Sequence, residues 1–557
     1  MMNEQRTLKR HHVGALPLLH AIAKRLGLRD LIERHVPKHG NDQIPVADTL
    51  ILLSYNLAIG KIPFYELAAW VQSIDLRTIG YSAFDAEKFN DDRFGRSLVR
   101  LYSTNRAVLM TELVIRCVQA FQIELQRIHN DSTSVKACGK YPGKTPTGFE
   151  LKHGKSKDHR PDLKQLIFSL SVSADGAIPV HYKTYPGNRT DDTTHIETWK
   201  TLLKITAHPD FLYVADSKLC TDEQLFHISG KGGRAITIMP GTWSEVKEFK
   251  NILRTTTKTK KEIWRRKKTE YGDQTEYYSA FTGQYLTRKR GYRIHWIYSS
   301  EKRQRDRANR EARLSKAEQD LMKLNARLNK RNLKEKDAID AAALSIVEKY
   351  DVANFLGFCV SINKAQETIQ IGQGRPGNNT RYKTIISTIY SLTWTRNLNE
   401  LKHESGVDGV FPLVCTDVEL TAKEVLKAYK YQPRLEKRFN QFKSYQKAAP
   451  LLFKDVKRIE ANFFIFFISL MLHALIEREV RSKMELHEDH SLLLYPEERE
   501  ADRPTTNKII DVFESVSTYS VIQDGKVVEE FKDSLTSTQL TILRYLDIPE
   551  REFWSGN

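Results

Sequence analysis

The sequence predicts an α/β fold: a mixed-sheet core, preceded by a helical N-terminal domain and interrupted by an inserted module of strands and long helices. Three observations predict it. Residues 13 to about 125 place apolar side chains at helical spacing. From about 124 the pattern changes to short apolar runs bounded by turn residues. Between about 241 and 350 a basic, charge-rich stretch separates one set of strand-like runs from the next. The chain has 557 residues, 40% of them hydrophobic, so several modules with real cores are expected. Its formal net charge of +18 points to a polyanionic partner, nucleic acid first, although a merely basic protein would show the same charge.

In order along the chain, Leu16–Leu26, Val46–Leu57 and Phe94–Tyr102 read as helices, with Pro17 suited to a helix start and Gly27 and Gly60 to helix ends. Glu124–Ser132 alternates as a strand does. Leu166–Ser173 and Ile178–Tyr185, joined by Ala174-Asp175-Gly176, read as a hairpin. Asp192–Ile205 reads as a helix, Phe211–Ala215 as a short buried strand, Thr221–Ile228 as a helix and Ala235–Met239 as a strand. This order is what an RNase H-like domain shows, but it is not unique to that fold. The basic run Lys258–Lys268 follows, then strands at Thr275–Phe281 and Arg293–Ser300. Glu301–Tyr350 is expected to form a helical hairpin or short coiled coil, with Leu314, Ala317, Leu321, Leu324 and Leu328 at 3-4-3-4 spacing. Strands return at Asn354–Ile362 and Gly409–Cys415, and helices are expected from there to about 480. The tail holds a strand-like pair, Tyr519–Ile522 and Val527–Phe531, split by Asp524-Gly525.

Several function classes are disfavoured. The five cysteines are scattered and contain no CxxC pair, which argues against a zinc site or a disulfide framework and fits a reducing cytoplasm. The first residues carry no apolar signal core. The run Ala461–Ile476 is shorter than the roughly 20 residues of a membrane span and holds Asn462 and His473, so a buried core helix is expected. No Walker loop, GxSxG elbow or HExxH motif occurs.

What remains is a set of acids suited to two-metal phosphodiester chemistry. That chemistry needs carboxylates converging from separate elements, because Mg²⁺ takes oxygen ligands and keeps positions for water and phosphate. Asp131 lies inside the first strand and Asp216 directly follows FLYVA. Taken alone, an Asp at a strand end is usually a turn cap. In the helical segment 428–443 (AYKYQPRLEKRFNQFK), Tyr429, Glu436 and Lys443 recur every seven residues and so share one face of a regular helix. Taken alone, that segment reads as an ordinary amphipathic helix. Pro433 either kinks it or marks its first turn. Glu424 and Glu460 are rival third acids. His129 and Asn130 adjoin Asp131 and read as strand packing more than as site residues.

On these residues the chain resembles the DDE transposases of bacterial insertion sequences, which have an RNase H-like core with an insertion before the catalytic Glu. The pattern Tyr-x2-Arg-x3-Glu-x6-Lys of that superfamily maps onto Tyr429, Gln432, Glu436 and Lys443. Gln432 stands where the family has Arg, a departure that touches a phosphate contact and not the metal ligand. Gly154–Gln165, Pro186-Gly187-Asn188 with Asp191 or Asp192, Val214-Ala215-Asp216, Gly14–Pro17 and Asn90–Arg96 also match family segments, so the resemblance runs from residue 13 to about 480. It implies that Asp131, Asp216 and Glu436 are catalytic and bind two Mg²⁺ or Mn²⁺ ions, and that Tyr429 and Lys443 hold DNA phosphates. It also implies double-stranded DNA partners (terminal inverted repeats and target) and a homodimer.

Lys155, Lys157 and Arg160, in the basic run Lys152–Arg160, are candidate contacts to the DNA backbone. Asp162 reads as a local partner of Arg160. Arg265 and Arg266, with Trp264, are candidate contacts in the insertion, Trp264 as a platform for a displaced base. Core packing is the simpler role for Trp296. The expected organisation is a helical domain at 1–123, the core at 124–240 and 351–480, the insertion at 241–350 and a tail at 481–557. Two rival readings are a non-catalytic DNA-binding descendant and another two-metal nuclease.

Overall fold

A computed structural model of the chain describes residues 6–556 apart from 37, 38, 41, 61, 140, 142, 146, 155–159, 161, 190–193, 270, 271, 331, 449, 450, 452, 454, 488–490, 496 and 498. The protein is a mixed α/β structure that divides into two compact units. One comprises Met1–Thr237 with Lys427–Asn557, the other Ile238–Leu426.

In the first unit, helices Leu16–Arg25, Leu28–His35, Val46–Ala58, Asp91–Tyr102 and Arg106–Phe121 follow the apolar periodicity. Pro17 stands in the first turn of its helix, where a missing N–H costs nothing. Gly27 turns the chain into the next helix at φ 60°, a conformation that favours glycine. Between them and the sheet runs helix Val456–Leu486, 31 residues long and apolar enough to cross a membrane, yet buried within the protein along its apolar stretch. Its Phe463 and Phe466 meet Phe442, which stacks on Phe168 of the sheet at 4.6 Å. The run at 461–476 is therefore a core helix.

Strand β1 (Arg6–His12) stands apart from that sheet. Strands β2 (Arg127–Ala137), β3 (Lys164–Ser173), β4 (Pro179–Pro186), β5 (Leu212–Val214) and β6 (Arg234–Ile238) lie in the order β4-β3-β2-β5-β6. β4, β3 and β2 pair antiparallel; β2 with β5 and β5 with β6 pair parallel. β1 pairs instead with Ser517–Gln523, which hairpins into Lys526–Lys532 through Asp524 and Gly525, both at positive φ. Nothing local announces β1, since its partner lies at the other end of the chain.

In the second unit, β7 (Lys260–Thr269), β8 (Gly272–Phe281) and β9 (Arg293–Ser299) form an antiparallel meander, and β9 pairs with β12 (Val410–Cys415). Helices Ser300–Asn325 and Lys336–Lys349 bury Leu314, Ala317, Leu321 and Leu324 against Ile339, Ala343 and Val347, as the 3-4-3-4 spacing requires. The same cluster takes in Leu356, Val360 and Leu392, from the base of a long ribbon formed by β10 (Leu356–Gln370) and β11 (Tyr382–Arg396). Asn325 and Asn329 fasten that ribbon through the backbone of Leu392 and Tyr390. The ribbon and these helices belong to the same compact unit, Ile238–Leu426.

Candidate functional site

The parallel register of β2 and β5 brings two of the acids together. Arg127 lies opposite Leu212, Ile128 opposite Tyr213 and His129 opposite Val214. The pairing ends there; Asp131 lies two residues further along β2 and Asp216 two residues past Val214, so both leave the same end of the paired strands. Asp216 remains extended, at φ −69° and ψ −173°. Its side chain accepts from the Lys218 N–H at 3.0 Å, while Asp131 accepts from the Ser132 N–H at 2.7 Å. Both are half-buried. The turn-cap role suggested by the sequence for Asp216 is therefore real, and it leaves a carboxylate with 41% of its side chain exposed.

Glu436 comes from helix Gln432–Asn440, which begins with Pro433 in its first turn and is tied to the sheet at both ends. At the N-terminal end, Gln432 donates to the Asn130 carbonyl at 3.0 Å, and its Oε1 meets His129 Nδ1 at 3.2 Å. Near the C-terminal end, buried Arg438 donates to the carbonyls of Gly176 and Ala177 at 2.8 and 3.1 Å. Glu436 lies one turn beyond Gln432 and hence on the same helix face, and it is exposed. The helix is not continuous from 429 to 443. Tyr429 ends a separate helix, Ala422–Tyr429, and Lys443 sits in a wider π turn, Gln441–Tyr445. The sevenfold spacing therefore does not act through one regular helix, because Pro433 requires a fresh start.

Tyr429 nevertheless lies within reach of all three acids. Burial, then Asp216, Asp131 and Glu436 in turn, push its phenol up to about 12. The rival acids are engaged elsewhere. Glu460 is ion-paired with Arg106 and accepts from Thr145 and Thr147, while Glu424 closes a capping box with Thr421. Among the described residues, no three acidic, histidine or cysteine side chains converge closely enough to enclose an ion. The arrangement is thus an open one.

Two features were not legible in the sequence. His195, at the start of helix His195–Thr206, holds the Tyr213 hydroxyl at 2.9 Å and approaches Asp216 to 3.9 Å. Gln432 was readable only as a missing arginine, and its role is to pin the Glu436 helix to β2. Gln432→Ala will destabilise the protein by about 1–3 kcal/mol in denaturant unfolding, because it leaves buried His129 and the Asn130 carbonyl without their partner.

The other candidate contacts divide. Lys155 and Lys157 lie outside the described residues. Arg160 is exposed and chelates Asp162 at 2.7–2.8 Å. In the second unit, Arg265 pairs with Glu262 and Arg266 with buried Glu276. Trp264 is stacked on Tyr278 at 5.2 Å, directly opposite on β8, so one ring face is already covered. Trp296 is buried and stacked on Phe249 at 4.0 Å, a core role.

Residues 8–115 match a family model described as a domain of unknown function (DUF4277). No curated protein matches the chain. Among solved structures, the chain is similar to a piggyBac transposase synaptic complex with hairpin DNA, at TM-score 0.36 and 8% identity, over 86% of this chain and 79% of that one. At those values the likeness settles neither fold nor activity.

Proposed function

We propose that the chain is a DDE-type transposase that cuts DNA at the ends of its own element and joins the freed ends to target DNA. The observation that carries this reading is that Asp131, Asp216 and Glu436, from separate elements, all act electrostatically on the buried Tyr429 phenol. The strand order β4-β3-β2-β5-β6, with its first three strands antiparallel and the rest parallel, supports an RNase H-like core. An open, all-carboxylate set suits Mg²⁺ or Mn²⁺, which are commonly held by one or two carboxylates plus substrate phosphates. Two such ions would activate the attacking oxygen and offset charge on the leaving one.

The protein's own groups would position the DNA. Tyr429, still protonated at neutral pH, donates a hydrogen bond to a phosphate oxygen, and Lys443 adds a cation in the neighbouring turn. Arg160, Arg265 and Arg266 would serve as backbone contacts by exchanging their present acids for phosphates. In this reading the inserted unit serves the element end, and two chains act together because two ends must be joined.

The test is magnesium-dependent cutting of a duplex carrying the element's terminal repeat, compared with a scrambled duplex. Cutting confined to the repeat is expected. Binding without any cutting would favour a DNA-binding descendant, and cutting without regard to sequence would favour a general nuclease.

A further inference from the structure

On the far side of the Glu436 helix, the first unit contains a cavity of about 1190 Å³. Helical geometry separates it from the carboxylates. Gln432 and Glu436 share one face, whereas Arg434 and Arg438 lie on the opposite one, with Lys437 to the side. Helix Gln432–Asn440, helix Val456–Leu486 and the start of helix Thr506–Phe513 wall the cavity.

Six cations line it, and three of them have structural partners. Arg438 holds the turn at Gly176 and Ala177, Arg478 chelates Asp175 at 2.8 Å through two nitrogens, and Arg481 pairs with Glu477 at 2.6 Å. Among the described residues, no acid lies within ion-pairing distance of Arg434, Lys437 or Arg503. Asp502 and Glu485 also reach the lining; like Lys437 and Arg503 they are exposed, whereas Arg434 is half-buried. The cations repel one another. Burial and then Arg434 and Arg481 push the Lys437 ammonium down against the pull of Glu477, and burial, Arg434, Arg438 and Arg503 act the same way on Arg481, again against Glu477. Helix Thr506–Phe513 reaches the cavity through Thr505 and Asn507, and its Thr506 N–H is taken up by Glu477. A fold that gathers like charges around an open volume gains most from an oxyanion that bridges them.

We propose that this cavity is a phosphate-binding site, distinct from the carboxylate site and built on Arg434, Lys437 and Arg503. The phosphate comes either from a nucleic-acid backbone or from a free phosphorylated small molecule. The site does not depend on the transposase reading, since a protein that cuts no DNA can still bind phosphate here.

The test uses the full chain, with inorganic pyrophosphate and a DNA duplex as probes. Wild type is compared with Arg434→Gln/Lys437→Gln, with Arg503→Gln and with the charge-preserving Arg434→Lys/Lys437→Arg. Lys526→Gln/Lys532→Gln, on the exposed C-terminal hairpin, removes the same charge elsewhere. Pyrophosphate should raise the wild-type unfolding temperature, and the cavity Gln variants should lose that rise. A backbone source predicts a duplex affinity at least about tenfold lower, with the salt slope reduced by about 0.9 for each phosphate that is no longer neutralised. A small-molecule source predicts loss of pyrophosphate binding with duplex affinity unchanged. The charge-preserving variant should bind as wild type does. The proposal is overturned if pyrophosphate fails to stabilise the wild type, or if the hairpin variant loses as much as the cavity variants do.

Discussion

Asp131→Asn, Asp216→Asn and Glu436→Gln will each lower magnesium-dependent cutting of the element-end duplex by on the order of a thousandfold, the loss of several kcal/mol of transition-state stabilisation. Each substitution keeps shape and removes one charge. Unfolding midpoints and duplex binding should therefore stay close to wild type. The rival acids give the contrast. Glu424→Gln weakens only a helix cap, worth about 1 kcal/mol. Glu460→Gln disturbs the Arg106 pair and the Thr145 and Thr147 hydroxyls, so it lowers stability and leaves cutting per folded molecule intact. A Glu436→Gln variant that cuts at the wild-type rate, alongside inactive Asp131 and Asp216 variants, would remove Glu436 from the site. The three acids also share a spectroscopic mark. Each raises the Tyr429 phenol, so each neutralisation should lower its titration from about 12, whereas Glu460→Gln should not move it.

The parts of this site that the sequence reveals are those encoded locally. Asp216 follows a short apolar strand, Pro433 marks a helix start, and Asp131 falls in a stretch that reads as a strand. What stays hidden depends on partners far along the chain. The pairing of β1 with Ser517–Gln523 joins the two ends, and neither partner signals the other. β11 forms one wall of a ribbon by pairing with β10 along its whole length, and Asn325 and Asn329 fasten its base. Trp264 beside basic residues looks like an exposed stacking platform until Tyr278 is found opposite it. Gln432 is the clearest case. Compared with a family motif it reads as a missing phosphate ligand, whereas in the fold an amide is what His129 and the Asn130 carbonyl need, since it can accept from one and donate to the other. A charged guanidinium could only donate.

Acid will unfold the first unit well before its surface carboxylates are fully protonated, and three buried histidines are the reason. The ordinary imidazole value is 6.5. Burial, reinforced by Arg127 and opposed by Gln432, lowers His129 to about 3. Burial, reinforced by Lys183, lowers His181 to about 4, and burial, opposed by the Ala58 carbonyl, lowers His473 to about 4. All three act in one direction. Above pH 6.5 both the folded and unfolded forms are neutral, and the stability is fully present. As the pH falls below 6.5 the unfolded chain takes up protons that the folded chain refuses, so stability is lost. At pH 4 each imidazole costs about 3 kcal/mol and the three together on the order of 10 kcal/mol, because every tenfold weakening of proton binding in the folded state is worth about 1.4 kcal/mol. That is comparable with the whole stability of a typical domain, about 5–15 kcal/mol. Urea midpoints measured from pH 7 to 4 should therefore fall steeply below 6.5, and spontaneous unfolding should set in between about pH 4 and 5. A midpoint that stays level down to pH 4.5 would mean that the imidazoles titrate inside the fold, and that water reaches His129 beneath the Glu436 helix. The site would then be wetter, and its carboxylates better screened from one another, than the packing around Gln432 implies.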